Sequence, residues 1–365
     1  MTTVRLGVPR VRSAGGPEVD PARPDDERLV DRFGRVATDL RVSLTDKCNL
    51  RCSYCMPAEG LDWMADERVL TDSEVIRLVQ VAVERLGVEE VRFTGGEPLL
   101  RKGLEKIVEA TTSLRTVAGS AVQTSLTTNA LGLRRRATAL AAAGLDRVNV
   151  SLDTLDHARF LEITHRQRLD DVIAGCRAAA DAGLAPVKVN TVLMRGINDD
   201  EAPALLRWAL DEGYELRFIE QMPLDAQGSW ERTTMVTAAE ILSSLESAFD
   251  LDHTDPASRG ASPAETWWVS ESGGTERLGK VGIVASVTRP FCGDCDRTRL
   301  TADGQIRNCL FAQHETDLRD LLRGGASDAE LAMAWRGAMW AKLAGHGIDD
   351  EGFLQPTRPM SAIGG

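Results

Sequence analysis

Asp39-Leu40-Arg41-Val42-Ser43-Leu44-Thr45-Asp46-Lys47-Cys48-Asn49-Leu50-Arg51-Cys52-Ser53-Tyr54-Cys55 decides how the rest of the chain is read. A short apolar run, Asp39–Leu44, leads straight into three cysteines spaced C-x3-C-x2-C. A strand that ends in a cluster of thiols is the start of a βα unit whose loop carries chemistry.

Working outward, the same kind of strand recurs at Glu89–Thr94, Val122–Thr127, Arg147–Leu152, Pro186–Leu193 and Glu215–Glu220. Between these strands lie segments with helical periodicity. Ser73–Leu86 sets Val75, Ile76, Val79, Val83 and Leu86 on one face, and Gly103–Leu114, Arg134–Ala143, Asp170–Ala182 and Glu201–Leu210 follow suit. Strands alternating with helices imply a parallel sheet with right-handed crossovers. Six βα units fall two short of a closed eight-stranded barrel. The fold class is therefore α/β: an open, partial TIM-like barrel whose chemistry gathers at the C-terminal strand ends.

Beyond Pro223 the pattern changes. Helices are expected at Thr237–Phe249 and Asp328–Leu343, short strands at Glu265–Ser270 and Lys280–Val287, and a hairpin over Leu300–Leu310 around Asp303-Gly304. The domain reading is a flexible N-terminal tail over 1–36, a barrel core over 37–222 and a smaller C-terminal α+β unit over 223–365 that closes the open side.

The chain has 365 residues, 43 basic and 55 acidic side chains, and a net charge of −12. With 43% apolar and 27% charged residues it has globular composition, and its acidity argues against a general nucleic-acid binder. No apolar run is long enough for a membrane span, and the first residues lack a secretory h-region. Seven cysteines without a secretory context point to a reducing, cytoplasmic setting in which thiols serve metals or catalysis.

Six of those seven form two sets of three: Cys48, Cys52 and Cys55, then Cys292, Cys295 and Cys309, spaced C-x2-C-x13-C. Cys176 reads as a buried helix residue. A closed zinc site takes four ligands, whereas three thiolates on a four-iron cluster leave one iron open for a small molecule. Two zinc readings stand beside this one: completion of the first set from elsewhere, and a Cys3His site using His314.

Cys48–Cys55, with Tyr54 before the last cysteine, resembles the signature of the radical S-adenosylmethionine (SAM) enzymes. Thr94-Gly95-Gly96-Glu97-Pro98, about forty residues later at the next strand end, resembles the glycine-rich motif with which they hold the SAM amino group. With the second cysteine set, the chain is similar to one branch, the GTP 3′,8-cyclases of molybdenum-cofactor synthesis. Asp39–Asp46, Arg217–Met222, Phe291–Leu300 and the closing Ile363-Gly364-Gly365 match that branch too.

The resemblance implies two [4Fe–4S] clusters, each on three cysteines, and SAM as cofactor. It implies that SAM is contacted at Gly96, by Glu97 with the loop carbonyls, at Ser151, and by backbone near Tyr54 and Met222. It implies GTP contacts from Arg41, Arg92, Thr127, Lys188, Arg297, Thr298 and Arg299, with Arg41, Arg297, Arg299, Gly364 and Gly365 taking part in catalysis. A 5′-deoxyadenosyl radical would abstract the ribose 3′ hydrogen, and C3′ would then bond to C8 of guanine. The implied partners are a flavodoxin or ferredoxin as electron donor, a second copy in a homodimer, and cyclic pyranopterin monophosphate synthase as recipient of the product. Two other readings remain: another radical SAM enzyme with an auxiliary C-terminal cluster, for example one that modifies peptides, and a zinc-binding interaction module.

Overall fold

The computed structural model describes Asp20 and residues 22–364. The first half of the chain runs β1 (Asp39–Ser43), α1 (Asp72–Leu86), β2 (Glu90–Thr94), α2 (Leu104–Thr112), β3 (Gln123–Thr128), α3 (Leu133–Ala142) and β4 (Arg147–Ser151). It continues with α4 (His157–Thr164), α5 (Leu169–Asp181), β5 (Val187–Val192), α6 (Ala202–Asp211) and β6 (Glu215–Ile219). The second half holds α7 (Ala238–Glu246), β7 (Phe249–His253), β8 (Glu265–Glu271), β9 (Arg277–Val284), β10 (Arg297–Leu300) and β11 (Gln305–Arg307). It closes with β12 (Thr316–Asp317), α8 (Arg319–Arg323), α9 (Asp328–Trp340) and α10 (Met360–Ile363).

All twelve strands form one sheet, ordered β12-β11-β10-β1-β2-β3-β4-β5-β6-β9-β8-β7. The six predicted parallel strands are present, and β9 and β10 add a parallel neighbour at either end, on β6 and β1. The parallel run is thus eight strands long, yet β9 and β10 are not paired with each other, so the barrel stays open. The region beyond Pro223 extends both edges of the sheet: β8 and β7 beyond β9, β11 and β12 beyond β10.

Helix starts follow their caps. In α1 the Thr71 hydroxyl accepts from Glu74 N and the Glu74 carboxylate accepts from Thr71 N, a full capping box. Its apolar face, including Val75, Val79, Val83 and Leu86, is buried against the sheet. α4 was not expected. Asp156 announces it by accepting from Ala158 N and Arg159 N.

The strands alternate strictly. Leu40, Val42, Val91, Phe93, Leu126, Val148, Val150, Val189, Leu216 and Phe218 point outward into the main core under the helices. The opposite positions carry Arg41, Arg92, Ser125, Thr127, Arg147, Asn149, Ser151, Lys188, Asn190 and Arg217. A strand's side chains share a face at every second residue, so these polar groups line the inside of the barrel. The register puts Arg41 between Arg92 and Arg299, and Asn190 beside Arg217. An apolar barrel fills its interior with branched side chains; this one keeps a charged lumen.

The tail expected over 1–36 is corrected where the chain is described. Leu29 is fully buried, Val30 bridges to Val36, and Arg35 pairs with Asp31. Arg35 Nη1 also donates to Cys292 O (2.5 Å) and Ala344 O (2.8 Å), which ties this segment to the second cysteine loop. Among the described residues no helix is long and apolar enough to cross a membrane.

Candidate active site

The loop after β1 places Cys48, Cys52 and Cys55 around one cavity, which Tyr54, Gly95, Gly96, Thr127, Ser151, Met360 and Ser361 also line. Cys55 N and Met56 N both donate to Cys52 O, so the loop turns back on itself and gathers the thiols. Leu50 N (3.4 Å) and Asn129 Nδ2 (3.7 Å) donate to Cys48 Sγ. Burial pushes all three thiols above their ordinary range, Cys55 to about 12. A group that binds them as thiolates must therefore bring its own positive charge, as iron does.

Gly95 and Gly96 are required by close approach. At Gly95 φ is +140°, and a Cβ would lie 2.4 Å from Thr45 O; at Gly96 it would lie 2.4 Å from Asp46 O. The two glycines let the β2 loop hydrogen-bond the cysteine loop directly, Gly96 N to Thr45 O (2.7 Å) and Glu97 N to Lys47 O (2.8 Å). The expectation that Glu97 would accept from a ligand's ammonium is corrected. Its carboxylate is fully buried and accepts from Leu99 N, Thr128 Oγ1 and Asn129 N, so it organises the loop from behind. Burial holds that carboxyl up at about 7 against the donors.

Tyr54 turns its hydroxyl to Asp153 Oδ2 (2.8 Å), while Val192 N holds Asp153 Oδ1. A second, smaller cavity brings Tyr54 and Met222 together with Cys55 and Met360.

Cys292, Cys295 and Cys309 line a third cavity with Met222, Arg297 and Arg299. Ser286, just after β9, and Phe291, just before β10, also line it, so it sits across the gap in the barrel. Burial raises the Cys292 thiol. At Cys295 burial acts the same way, but Lys342 and Arg297 outweigh it and hold the thiol below its ordinary value. His314 lines a neighbouring cavity with Cys309 and not the one that all three cysteines share. Among the described residues no three His, Cys, Asp or Glu side chains converge as a single ion would require. Each cysteine set lines its own cavity, and three thiols at one cavity are a donor set that a four-iron cluster can use.

Between the two sets lies the cationic lumen. Asp39 is its buried anion, 3.7 Å from both Arg92 and Arg297 and 3.9 Å from Arg41. Glu90 accepts from Arg92 (2.9 Å) and Arg147 (2.5 Å), and Lys188 pairs with Glu215 (3.0 Å). Burial and mutual repulsion lower Arg217 and Arg299, each to about 10, and Arg41 is also lowered. Asp39 Oδ1, the Nε atoms of Arg41, Arg92 and Arg297, Asn149 Nδ2 and Asn190 Oδ1 are buried without a hydrogen-bond partner. Buried polar atoms are normally satisfied. Four of these six are donors, three of them on guanidinium groups, which suits a polar, anionic guest, and two are acceptors.

The C-terminal segment closes this space. Arg299 Nη1 donates to Gly364 O (2.6 Å), and Ile363 is buried in a small cluster with Leu224 and Phe311. Gly365 lies outside the described residues.

One predicted side chain points elsewhere. Thr298 sits between Arg297 and Arg299, so its side chain leaves the opposite face of β10 and accepts from Trp335 Nε1 (2.9 Å) in the core. The expectation that it lines the substrate space is corrected by strand parity. Arg147, Asn149, Asn190 and Arg217 were missed. The same period-two count from Arg41 and Arg92, carried along each strand, would have found them.

The family profile described as "Radical SAM superfamily" matches residues 42–209, and that described as "Molybdenum Cofactor Synthesis C" matches 214–348. The chain is 63% identical over 337 residues to the GTP 3′,8-cyclase of Streptomyces coelicolor, covering 92% of this chain and 96% of that protein. It is 56% identical to that of Mycolicibacterium smegmatis over the full length of both. Among solved structures it is similar to Streptococcus suis SuiB bound to S-adenosylmethionine, with TM-score 0.54 and 14% identity, covering 79% of this chain and 66% of that one. That last likeness is one of fold.

Proposed function

The chain belongs to the GTP 3′,8-cyclase family of the radical SAM superfamily, and from that premise we propose how its residues divide the reaction. The reaction is the lyase step that opens molybdenum-cofactor synthesis, in which C3′ of GTP is joined to C8 to give (8S)-3′,8-cyclo-7,8-dihydroguanosine 5′-triphosphate. A [4Fe–4S] cluster with SAM supplies the 5′-deoxyadenosyl radical that removes the ribose 3′ hydrogen.

Cys48, Cys52 and Cys55 hold that cluster. Gly95 and Gly96 bring backbone against the SAM amino end, Ser151 lies on the same wall, and backbone at Tyr54 and Met222 frames the adenine. Cys292, Cys295 and Cys309 would hold a second cluster, whose open iron would offer the purine a ligand site. Arg41, Arg92, Lys188, Arg297 and Arg299 grip the triphosphate and ribose, with Thr127 beside them; Arg217 shares their lumen and joins them. Arg299 also fixes Gly364, so the C-terminal segment walls the reacting atoms off from water. A low-potential flavodoxin or ferredoxin supplies two electrons, one that breaks the SAM C–S bond and one that, with a proton, ends the cyclised radical; a homodimer is the working assembly, and cyclic pyranopterin monophosphate synthase takes the product.

The single observation that carries this reading is the lumen of buried, under-neutralised arginines running between two three-thiol cavities. It supports a reading in which a polyanion is held between two iron sites. The test is anaerobic incubation of iron–sulfur-reconstituted protein with SAM, GTP and a strong reductant, read by mass spectrometry. Formation of 5′-deoxyadenosine together with an oxygen-sensitive GTP isomer, both lost in Cys48→Ala, is expected. 5′-Deoxyadenosine formed without regard to GTP, and with no isomer, would overturn the substrate.

A further inference from the structure

Lys342 lies just beyond α9 and is 4% exposed. Its ammonium spends all three donors on one short stretch: Arg297 O (3.0 Å), Cys295 O (3.1 Å) and Cys295 Sγ (3.3 Å). Among the described residues no carboxylate forms an ion pair with it. A lysine is almost never buried without an anionic partner, because carbonyls solvate a charge without neutralising it. The one acceptor here able to carry negative charge is the Cys295 sulfur.

The two cysteine sets differ in this respect. The donors to Cys48 Sγ, Leu50 N and Asn129 Nδ2, are neutral. Around the second set Arg297 Nη1 also reaches the Cys295 sulfur, at 3.9 Å, so two cations face one ligand atom. Positive charge and hydrogen bonds at a ligand sulfur stabilise the reduced, more negative state of the iron it binds.

We propose that Lys342 is the buried counter-charge of the cluster held by Cys292, Cys295 and Cys309, and that as a positioning residue it raises that cluster's reduction potential. This rests on reading those cysteines as ligands of a second cluster. The charge makes the second site easier to reduce than it would be without it, so that it can hold the electron, supplied by the flavodoxin or ferredoxin, that ends the cyclised substrate radical; the electron of the first site is spent in breaking the SAM C–S bond.

The test uses the full chain with Cys48, Cys52 and Cys55 all changed to Ala, so that the second site alone binds iron. Iron and sulfide are quantified, and the midpoint potential is read by electron paramagnetic resonance during a redox titration. Lys342→Gln keeps amide donors for the carbonyls but loses the charge; Lys342→Met loses both; Lys342→Arg keeps the charge. The expected result is full iron in the background and in Lys342→Arg, with the potential moved to more negative values in Gln and Met. Loss of iron in Gln and Met but not in Arg supports the same role. Full iron with an unmoved potential in Gln and Met overturns it, and so does iron lost in all three variants. A background with Lys342 intact that binds no iron overturns the second-cluster reading itself, and the proposal with it.

Discussion

At the scale of the residue, parity decides who can touch the substrate. Arg297 and Arg299 face the lumen, and Thr298 between them cannot. Substituting Arg41 or Arg217 by Met removes charge-assisted contacts worth about 1.5–3 kcal/mol each. Steady-state kinetics with GTP as the varied substrate should then show KM raised by about tenfold to a hundredfold, with SAM affinity little changed. Thr298→Ala should do the reverse. It leaves KM for GTP alone but strands the Trp335 indole N–H in the core, at a cost of about 1–3 kcal/mol in denaturant unfolding. A rise in KM for Thr298→Ala with no loss of stability would restore it to the substrate space. The six cysteines were legible because their spacing is rare and their chemistry narrow. The roles of Glu97 and Thr298 were not. A motif tells which residues recur, whereas burial and strand parity tell which way each one points.

Elements are held by local chemistry that the sequence spells out. The apolar period of Ser73–Leu86 predicts the start of α1 within one residue, Thr71 and Glu74 cap it, and the Arg323 fork on Glu74 then ties α1 to α8. Hydrogen bonding from Arg323, with that from Thr71 N, lowers the Glu74 carboxyl to about 2. A carboxyl whose folded value lies below its unfolded one stabilises fully above the unfolded value and fades as pH falls through the folded one. Glu74→Gln should therefore lose about 1 kcal/mol at neutral pH. The gap to the parent should shrink as urea unfolding is repeated from about pH 4.5 down toward pH 2. A gap that stays constant with pH would deny the ionised form its part. Thr71→Ala should cost a similar amount without that pH dependence. The strands were legible as apolar runs. The pairing of β9 and β10 with β6 and β1 was not, because partners distant in sequence leave no local trace.

For the whole molecule, closure depends on one arginine outside the lumen. Arg358 forks onto Asp303, at 2.9 and 2.8 Å, and reaches Glu315 as well, which anchors the segment that carries Ile363 and Gly364. Gly364 itself sits at φ +85° with Thr94 and Ser43 packed against its α-carbon, so the segment has one seat. Arg358→Ala should leave iron loading and 5′-deoxyadenosine formation in place while the cyclised product falls at least tenfold, about 1.4 kcal/mol of lost positioning. Carboxypeptidase digestion should trim the variant faster than the parent. Equal trimming with normal product would show that the segment needs no anchor.

The sheet order has a consequence for how the molecule is made. β1 is flanked by β2 and by β10, and about 250 residues separate Ser43 from Arg297. At about 5–20 residues per second, a ribosome that has released β1 needs roughly 13–50 seconds to deliver its second neighbour. For that interval the strand leading into the first three cysteines is an open sheet edge, with unpaired backbone groups able to template association with another chain. Its cysteines are equally uncovered then, because Met360 and Ser361, which wall their cavity, are translated later than β10. The nascent chain thus offers its first iron site to solvent and to assembly factors before it can shut it, and arrest of synthesis upstream of β10 would leave a species prone to aggregate.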